Sequence, residues 1–121
     1  MILVAVDDFL FRSKIRTTGK NAGVELTFPR TPDEVLEQAR TLKPSLAIFD
    51  LNSVKMDPIE TIARMKQDPD LGSIRTLGFV SHVDTARIQA ARAAGTDEVM
   101  ARSAFATDLA EILLSNGTTR P

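Results

Sequence analysis

Leu46-Ala47-Ile48-Phe49 is an apolar run that ends in a single carboxylate, Asp50, followed by Leu51 and Asn52. A run with no polar alternation has no face to give to water, so as a strand it must be covered on both sides. That cover comes from helices on both faces of a sheet, the arrangement of parallel α/β proteins. The ionisable residue comes where such a strand leaves the sheet. In open α/β sheets that carboxyl end is where ligands and chemistry sit.

The rest of the chain repeats the same grammar. Ile2 to Val6 is a short β-rich run ending in Asp7-Asp8, and reads as a second buried strand. Phe11, Ile15, Thr18 and Ala22 then fall at helical spacing, which predicts a helix from about Leu10 to Asn21 with Gly23 as its C-cap. Gly19 lies inside that helix and costs about 1 kcal/mol relative to alanine, so a frayed last turn is expected. Val24 to Phe28 alternates apolar and polar residues, as a half-exposed edge strand does, and Pro29 ends it. Thr31-Pro32-Asp33-Glu34 combines an N-cap hydroxyl, proline at the first helical position and acids in the first turn. The helix it opens presents Val35, Leu36, Ala39 and Leu42, and Lys43-Pro44 closes it.

After Asp50, residues 52–57 read as a loop, and Pro58 starts a helix whose apolar side is Ile59, Ile62, Ala63 and Met65. Asp68 to Gly72 has turn chemistry. Ile74 to Val80 is a strand ending in Ser81-His82, and Asp84 or Thr85 opens a helix with Ile88, Ala91 and Ala94, stopped at Gly95. Glu98 to Ala101 is the faintest strand, and Phe105, Leu109, Ile112 and Leu113 mark one last amphipathic helix. Ser115 to Pro121 reads as a polar tail or truncated linker after a domain spanning 1–114. Strand and helix therefore alternate five times with short connections. That order predicts parallel strands, right-handed crossovers and a doubly wound three-layer α/β/α sandwich.

Composition excludes several classes. The 121 residues make one domain with room for a core, and 43% hydrophobic with 26% charged residues is ordinary for a globular protein. A net charge of −1 offers nothing to a polyanion, so no direct nucleic-acid binding is expected. There is no cysteine, hence no disulfide frame, thiolate metal site or cysteine nucleophile. The apolar run Met1 to Val6 is too short for a signal peptide or a membrane span, so a cytoplasmic setting without membrane contact is expected.

Three strands end in polar groups: Asp7-Asp8, Asp50 and Ser81. In the flavodoxin-like order 2-1-3-4-5, the first and third strands are neighbours at the switch point. Asp7, Asp8 and Asp50 would then share a shallow pocket, where like charges raise at least one pKa unless a cation is present. A hard divalent ion with oxygen ligands answers that charge, and Mg²⁺ suits it. Met56 and Asp57 fall outside that shell.

The chain resembles the receiver domains of response regulators, the phosphoacceptor modules of bacterial two-component phosphorelay signalling. The resemblance runs from Ile2 to about Leu114. It rests on Asp7-Asp8 after the first strand, Asp50 after the third, Asn52 two residues on, the Met56-Asp57 pair, Ser81 after the fourth strand, and Ala94-Gly95 before the fifth. It implies a (βα)5 fold and a signalling module rather than an enzyme. Asp50 would accept a phosphoryl group from a sensor histidine kinase or phosphotransfer protein, and the change would be passed to a downstream output protein or domain. Asp8 would bind Mg²⁺ directly, Asp7 mainly through water, and Asn52 through its backbone carbonyl. Ser81 would hydrogen-bond a phosphoryl oxygen.

The departures cluster on the response side. Arg102 stands where the family has lysine, exchanging a point charge for a planar fork. Val99 replaces the aromatic switch residue, so an aromatic flip cannot be the readout. His82 takes a usually small position, Val54 replaces the loop's proline and Pro58 its glycine. Two further readings follow. The same fold could serve as a phosphorylation-independent interaction module, a pseudo-receiver. An aspartate-nucleophile phosphatase would instead place its nucleophile after the first strand with a second acid two residues on, and the adjacent Asp7-Asp8 pair does not match. Thr85, Arg87, Gln89, Arg92, Thr107 and Asp108 are expected on the exposed partner face.

Overall fold

The computed structural model describes residues 1–81 and 84–117. Strands β1 (Ile2–Ala5), β2 (Leu26–Thr27), β3 (Leu46–Asp50), β4 (Arg75–Val80) and β5 (Glu98–Ala101) form one sheet in the order β2-β1-β3-β4-β5. Every pairing is parallel, as the alternating pattern predicts. Helices α1 (Phe9–Ala22), α2 (Pro32–Leu42), α3 (Pro58–Gln67), α4 (Thr85–Ala93), α5 (Arg102–Thr107) and α6 (Leu109–Gly117) cover it. Among the described residues no helix is long and apolar enough to cross a membrane.

The period-2 alternation of the strands divides the core in two. Leu3, Ala5, Ala47 and Phe49 face one side, where they meet Val35, Leu36 and Ala39 of α2, Ile62 and Met65 of α3 and Ala91 of α4. Ile2, Val4, Leu46, Ile48, Leu77 and Phe79 face the other, against Phe11 and Ile15 of α1, Phe105 of α5, and Leu109 and Leu113 of α6. Both sides of β1 and β3 are thus dry, which is why neither strand shows polar alternation. The expected core aromatics Phe49, Phe79 and Phe105 are all fully buried.

Local signals set most helix ends. Thr31 Oγ1 accepts the Glu34 N–H, Asp84 Oδ1 accepts the Arg87 N–H, and Gly23 adopts the left-handed conformation (φ 72°) that ends α1. The last turn of α1 does not fray at Gly19. That glycine is on the buried face with Phe11 and Ile15, and a Cβ there would come 2.5 Å from Leu26 Cδ1. The close approach of β2, not helix propensity, accounts for it.

The structure departs from the sequence reading in three places. The edge strand is reduced to Leu26–Thr27, since only these residues pair with β1. The single final helix starts at Arg102 and breaks at Asp108 into α5 and α6. Ser115 to Gly117 belong to α6 and not to a tail: Asn116 Nδ2 donates to the Ile112 carbonyl, and the Asn116 carbonyl accepts from Ser45 Oγ. His82 and residues 118–121 of the expected tail lie outside the described residues.

Gly78, in the middle of β4, faces the fully buried side chain of Leu51, the residue after Asp50. A Cβ on Gly78 would lie 2.8–2.9 Å from Leu51 Cγ, Cδ1 and Cδ2. Gly78→Ala is expected to destabilise the protein by about 1–3 kcal/mol through overpacking, read as a lower urea midpoint at unchanged m-value.

Candidate functional site

Asp50 ends β3 and is only 5% exposed. The chain turns back on it at once: the Asn52 N–H donates to Asp50 Oδ1 at 2.9 Å and the Ser53 N–H donates to the Asp50 carbonyl at 3.1 Å. This is an Asx-type turn, in which a carboxylate substitutes for a backbone acceptor. Among the described residues Oδ2 receives no hydrogen bond. Burial pushes the Asp50 carboxyl above its ordinary pKa, and the charges of Asp7 and Asp8 push the same way; the Asn52 N–H and the Arg102 charge oppose them without prevailing.

The β1–α1 connection leaves the sheet beside this point, since Ala5 pairs with Phe49 in the β1–β3 register. Asp7 is exposed. Asp8 is the N-cap of α1, and its Oδ1 accepts the Phe11 N–H at 2.9 Å. Its Oδ2 accepts from Arg102 Nη2 at 3.3 Å. The Phe11 N–H, with further help from Arg102, holds the Asp8 carboxyl below the usual carboxylate range. Arg102 opens α5, and its guanidinium lies 4.3 Å from the centroid of the Phe11 ring. Phe11 meets Phe79 edge-on at 5.2 Å and Phe105 edge-on at 5.8 Å, while Phe79 and Phe105 stack at 4.7 Å.

Ser81 is exposed just beyond β4, with its N–H donating to Asn52 Oδ1 at 2.8 Å. Asn52 therefore joins the loop after Asp50 to the end of β4 through its side chain, a role the sequence did not assign to it. Two further residues were missed. Ser53 is buried, and its Oγ accepts the Met56 N–H at 3.1 Å; a serine three residues before an amide is a readable turn signal. Arg87, expected on the open partner face, turns inward, with Nη1 donating to the Leu51 carbonyl at 2.9 Å and Nε pairing with Asp84. The Asp84 pairing is readable as an i,i+3 spacing, but the reach to Leu51 is not. A cleft of 390 Å³ also opens between α4 and β5, lined by Val80, Ser81, Ile88, Arg92, Val99 and Met100 among others; Asp50 is not part of it.

The three carboxylates expected to share one pocket do not converge as metal ligands: among the described residues no group of three or more acidic or histidine side chains could hold a metal ion. The physical reason is that Asp8 has committed both oxygens, one to the α1 N-terminus and one to Arg102. In kind, the donors still suit a hard divalent cation, being carboxylate and carbonyl oxygens.

The raised pKa of Asp50 has a measurable consequence. A carboxyl that binds its proton more tightly when folded contributes stability that is present below the unfolded pKa and lost as pH rises through the folded one. Asp50→Asn removes that loss. The variant is expected to melt at a higher temperature than the parent at pH 7, with the difference gone below about pH 4, where an ordinary aspartate is protonated.

No protein-family model matches the chain. Response regulator protein VraR of Staphylococcus saprophyticus is 29% identical over 80 residues, a stretch spanning 66% of this chain and 37% of that relative's length. The phosphorylated cyanobacterial phytochrome response regulator RcpA superposes with a TM-score of 0.77 at 24% identity, covering 94% of this chain and 88% of that one. The Mn²⁺-bound response regulator Rcp1 gives 0.72 at 20% identity, covering 99% and 97%. A response regulator from Hahella chejuensis gives 0.81 at 17% identity, covering 98% of each chain. With its five parallel strands in the order 2-1-3-4-5 and an acidic edge at the end of β3, the chain has the fold of the response-regulator receiver domains.

Proposed function

We propose that this chain is a phosphoacceptor module in two-component signalling, that Asp50 is its acceptor, and that modification of Asp50 alters affinity for an output partner. The observation that carries the reading is the state of Asp50: a nearly buried carboxylate at the switch-point edge of the sheet, with Oδ1 held by the Asn52 N–H and Oδ2 uncommitted among the described residues. Oδ2 is the attacking atom. It forms a bond to the phosphorus of a phosphohistidine on a sensor kinase or phosphotransfer protein as the P–N bond breaks. The electron pair of that bond stays on the imidazole nitrogen, and the product is an aspartyl phosphate. The Asn52 N–H orients the nucleophile, and with Arg102 it favours the anionic form against burial.

Asp7, Asp8, Asp50 and the Asn52 backbone carbonyl are the groups that would hold Mg²⁺, once Asp8 turns from Arg102 and the three carboxylates, not gathered as they stand, draw together. A cation held there supplies neutralisation of the transferring phosphoryl oxygens. The solved neighbours with this fold include one phosphorylated and one Mn²⁺-bound protein, which supports the reading. Ser81 stands at the adjacent strand end with its hydroxyl available to a phosphoryl oxygen, and Arg102 supplies positive charge where the family uses lysine. The α4–β5 cleft, open where Val99 replaces an aromatic side chain, is the surface on which an output partner would read the change. Like other receivers, the chain would act as a cytoplasmic switch and not as an enzyme with a turned-over substrate.

One observation favours the second reading, an interaction module that needs no phosphorylation: Arg102 pairs with Asp8, a carboxylate that the cation site would need. Intact mass after incubation with Mg²⁺ and acetyl phosphate separates the two. The parent is expected to gain one phosphoryl group and Asp50→Asn none. A parent that stays unmodified, and that also shows no Mg²⁺-dependent binding of beryllofluoride, is instead the phosphorylation-independent module.

A further inference from the structure

We infer that Arg102 is a built-in counter-cation of the acidic edge, and that its guanidinium and a divalent ion occupy Asp8 in exclusion of one another. The inference rests on the reading that this edge takes a divalent cation. It concerns what sets the affinity.

Three observations distinguish Arg102 from an incidental surface ion pair. First, its side chain is only 33% exposed and begins on the first residue of α5, directly after β5, so its root is fixed by the sheet. Second, the guanidinium is placed by two contacts at once, Nη2 to Asp8 Oδ2 at 3.3 Å and its Cζ over the Phe11 ring, 4.3 Å from the centroid. A guanidinium can stack on a ring and donate from its edge together, which an ammonium cannot. Third, the same Phe11 donates its N–H to Asp8 Oδ1, and its ring is pinned by Phe79 and Phe105. One residue therefore orients both partners of the pair. The charge of Arg102 also reaches Asp50, so it offsets part of the repulsion that would otherwise draw in a metal ion.

Entry of a divalent ion at Asp8 Oδ2 competes with the Nη2–Oδ2 contact and, with the root of Arg102 at the start of α5, brings two positive charges near one another. A partly exposed pair with a stacked cation contributes on the order of 1 kcal/mol, which converts to a several-fold change in affinity. Arg102 is thus a determinant of cation affinity that touches the ligand set without belonging to it.

The test is a Mn²⁺ titration of the full chain, with free Mn²⁺ followed by electron paramagnetic resonance. It compares the parent, Arg102→Ala and Arg102→Gln, each with and without Asp8→Asn. Cooperative urea unfolding confirms that each variant folds; Arg102→Gln keeps a stem to lie on Phe11 if the alanine variant does not. Both Arg102 variants are expected to bind Mn²⁺ roughly three- to tenfold more tightly than the parent, and Asp8→Asn is expected to erase the difference. Folded Arg102 variants that bind Mn²⁺ as the parent does, or more weakly, overturn the inference and leave the proposed cation site standing. Absence of Mn²⁺ binding in the parent and every variant overturns both.

Discussion

A carboxylate at the end of a strand covered on both faces has little water to answer its charge, and the edge of this sheet is arranged around that fact. Leu46 to Phe49 are fully buried and Asp50 is nearly so. The loop that follows gives two backbone N–H groups back to Asp50, one to its side chain and one to its carbonyl. Leu51 goes under the sheet against Gly78, so the loop has no freedom to carry the carboxylate out into solvent. The remaining imbalance appears as a raised proton affinity, which Asp7 and Asp8 increase and Arg102 reduces.

Arg102, Asp8 and Phe11 extend that arrangement across the molecule. They join the start of α1, the start of α5 and, through Phe79, the strand beside β3. The opposite edge has its own fastening. Lys66 Nζ donates to the Ile74 carbonyl at 2.9 Å and to Asp97 Oδ2 at 2.8 Å, and Asp97 also accepts from the Thr76 N–H and hydroxyl. Burial pushes the Asp97 carboxyl up, but these donors together hold it below the usual range. The pairing places β5 beside β4, although Glu98 to Ala101 has little buried apolar surface of its own.

The loop after Asp50 is tied on its outer side as well. Asn52 holds the Ser81 N–H and Arg87 holds the Leu51 carbonyl, so the end of β4 and the start of α4 are both one hydrogen bond from that loop. Hydrogen bonds through Asn52 thereby link Asp50 to Ser81 in the lining of the α4–β5 cleft, with no aromatic side chain between them. Ile88, Val99 and Met100 give that cleft an apolar lining.

Element order, the two-faced character of β1 and β3, the cap at Thr31, and the placement of Asp50 were all legible in the sequence, because each depends on residues within a few positions of one another. The length of β2 and the helical state of Ser115 to Gly117 were not, since packing against β1 and the contact of Asn116 with Ser45 decide them, and no glycine or proline marks the break at Asp108. The site divides along the same line. That acids gather at one edge follows from strand order, and strand order follows from the strand–helix alternation. Which atoms they bind does not: Asp8 and Arg102 are 94 residues apart and Arg87 and Leu51 are 36 apart, and each contact depends on a rotamer chosen only after the sheet is assembled. The sequence by itself determined a doubly wound sheet with a carboxylate at its switch point. The tertiary structure decided that an arginine lying over Phe11, and not a third carboxylate, stands against Asp8, because the guanidinium finds a ring face and a carboxylate oxygen there together.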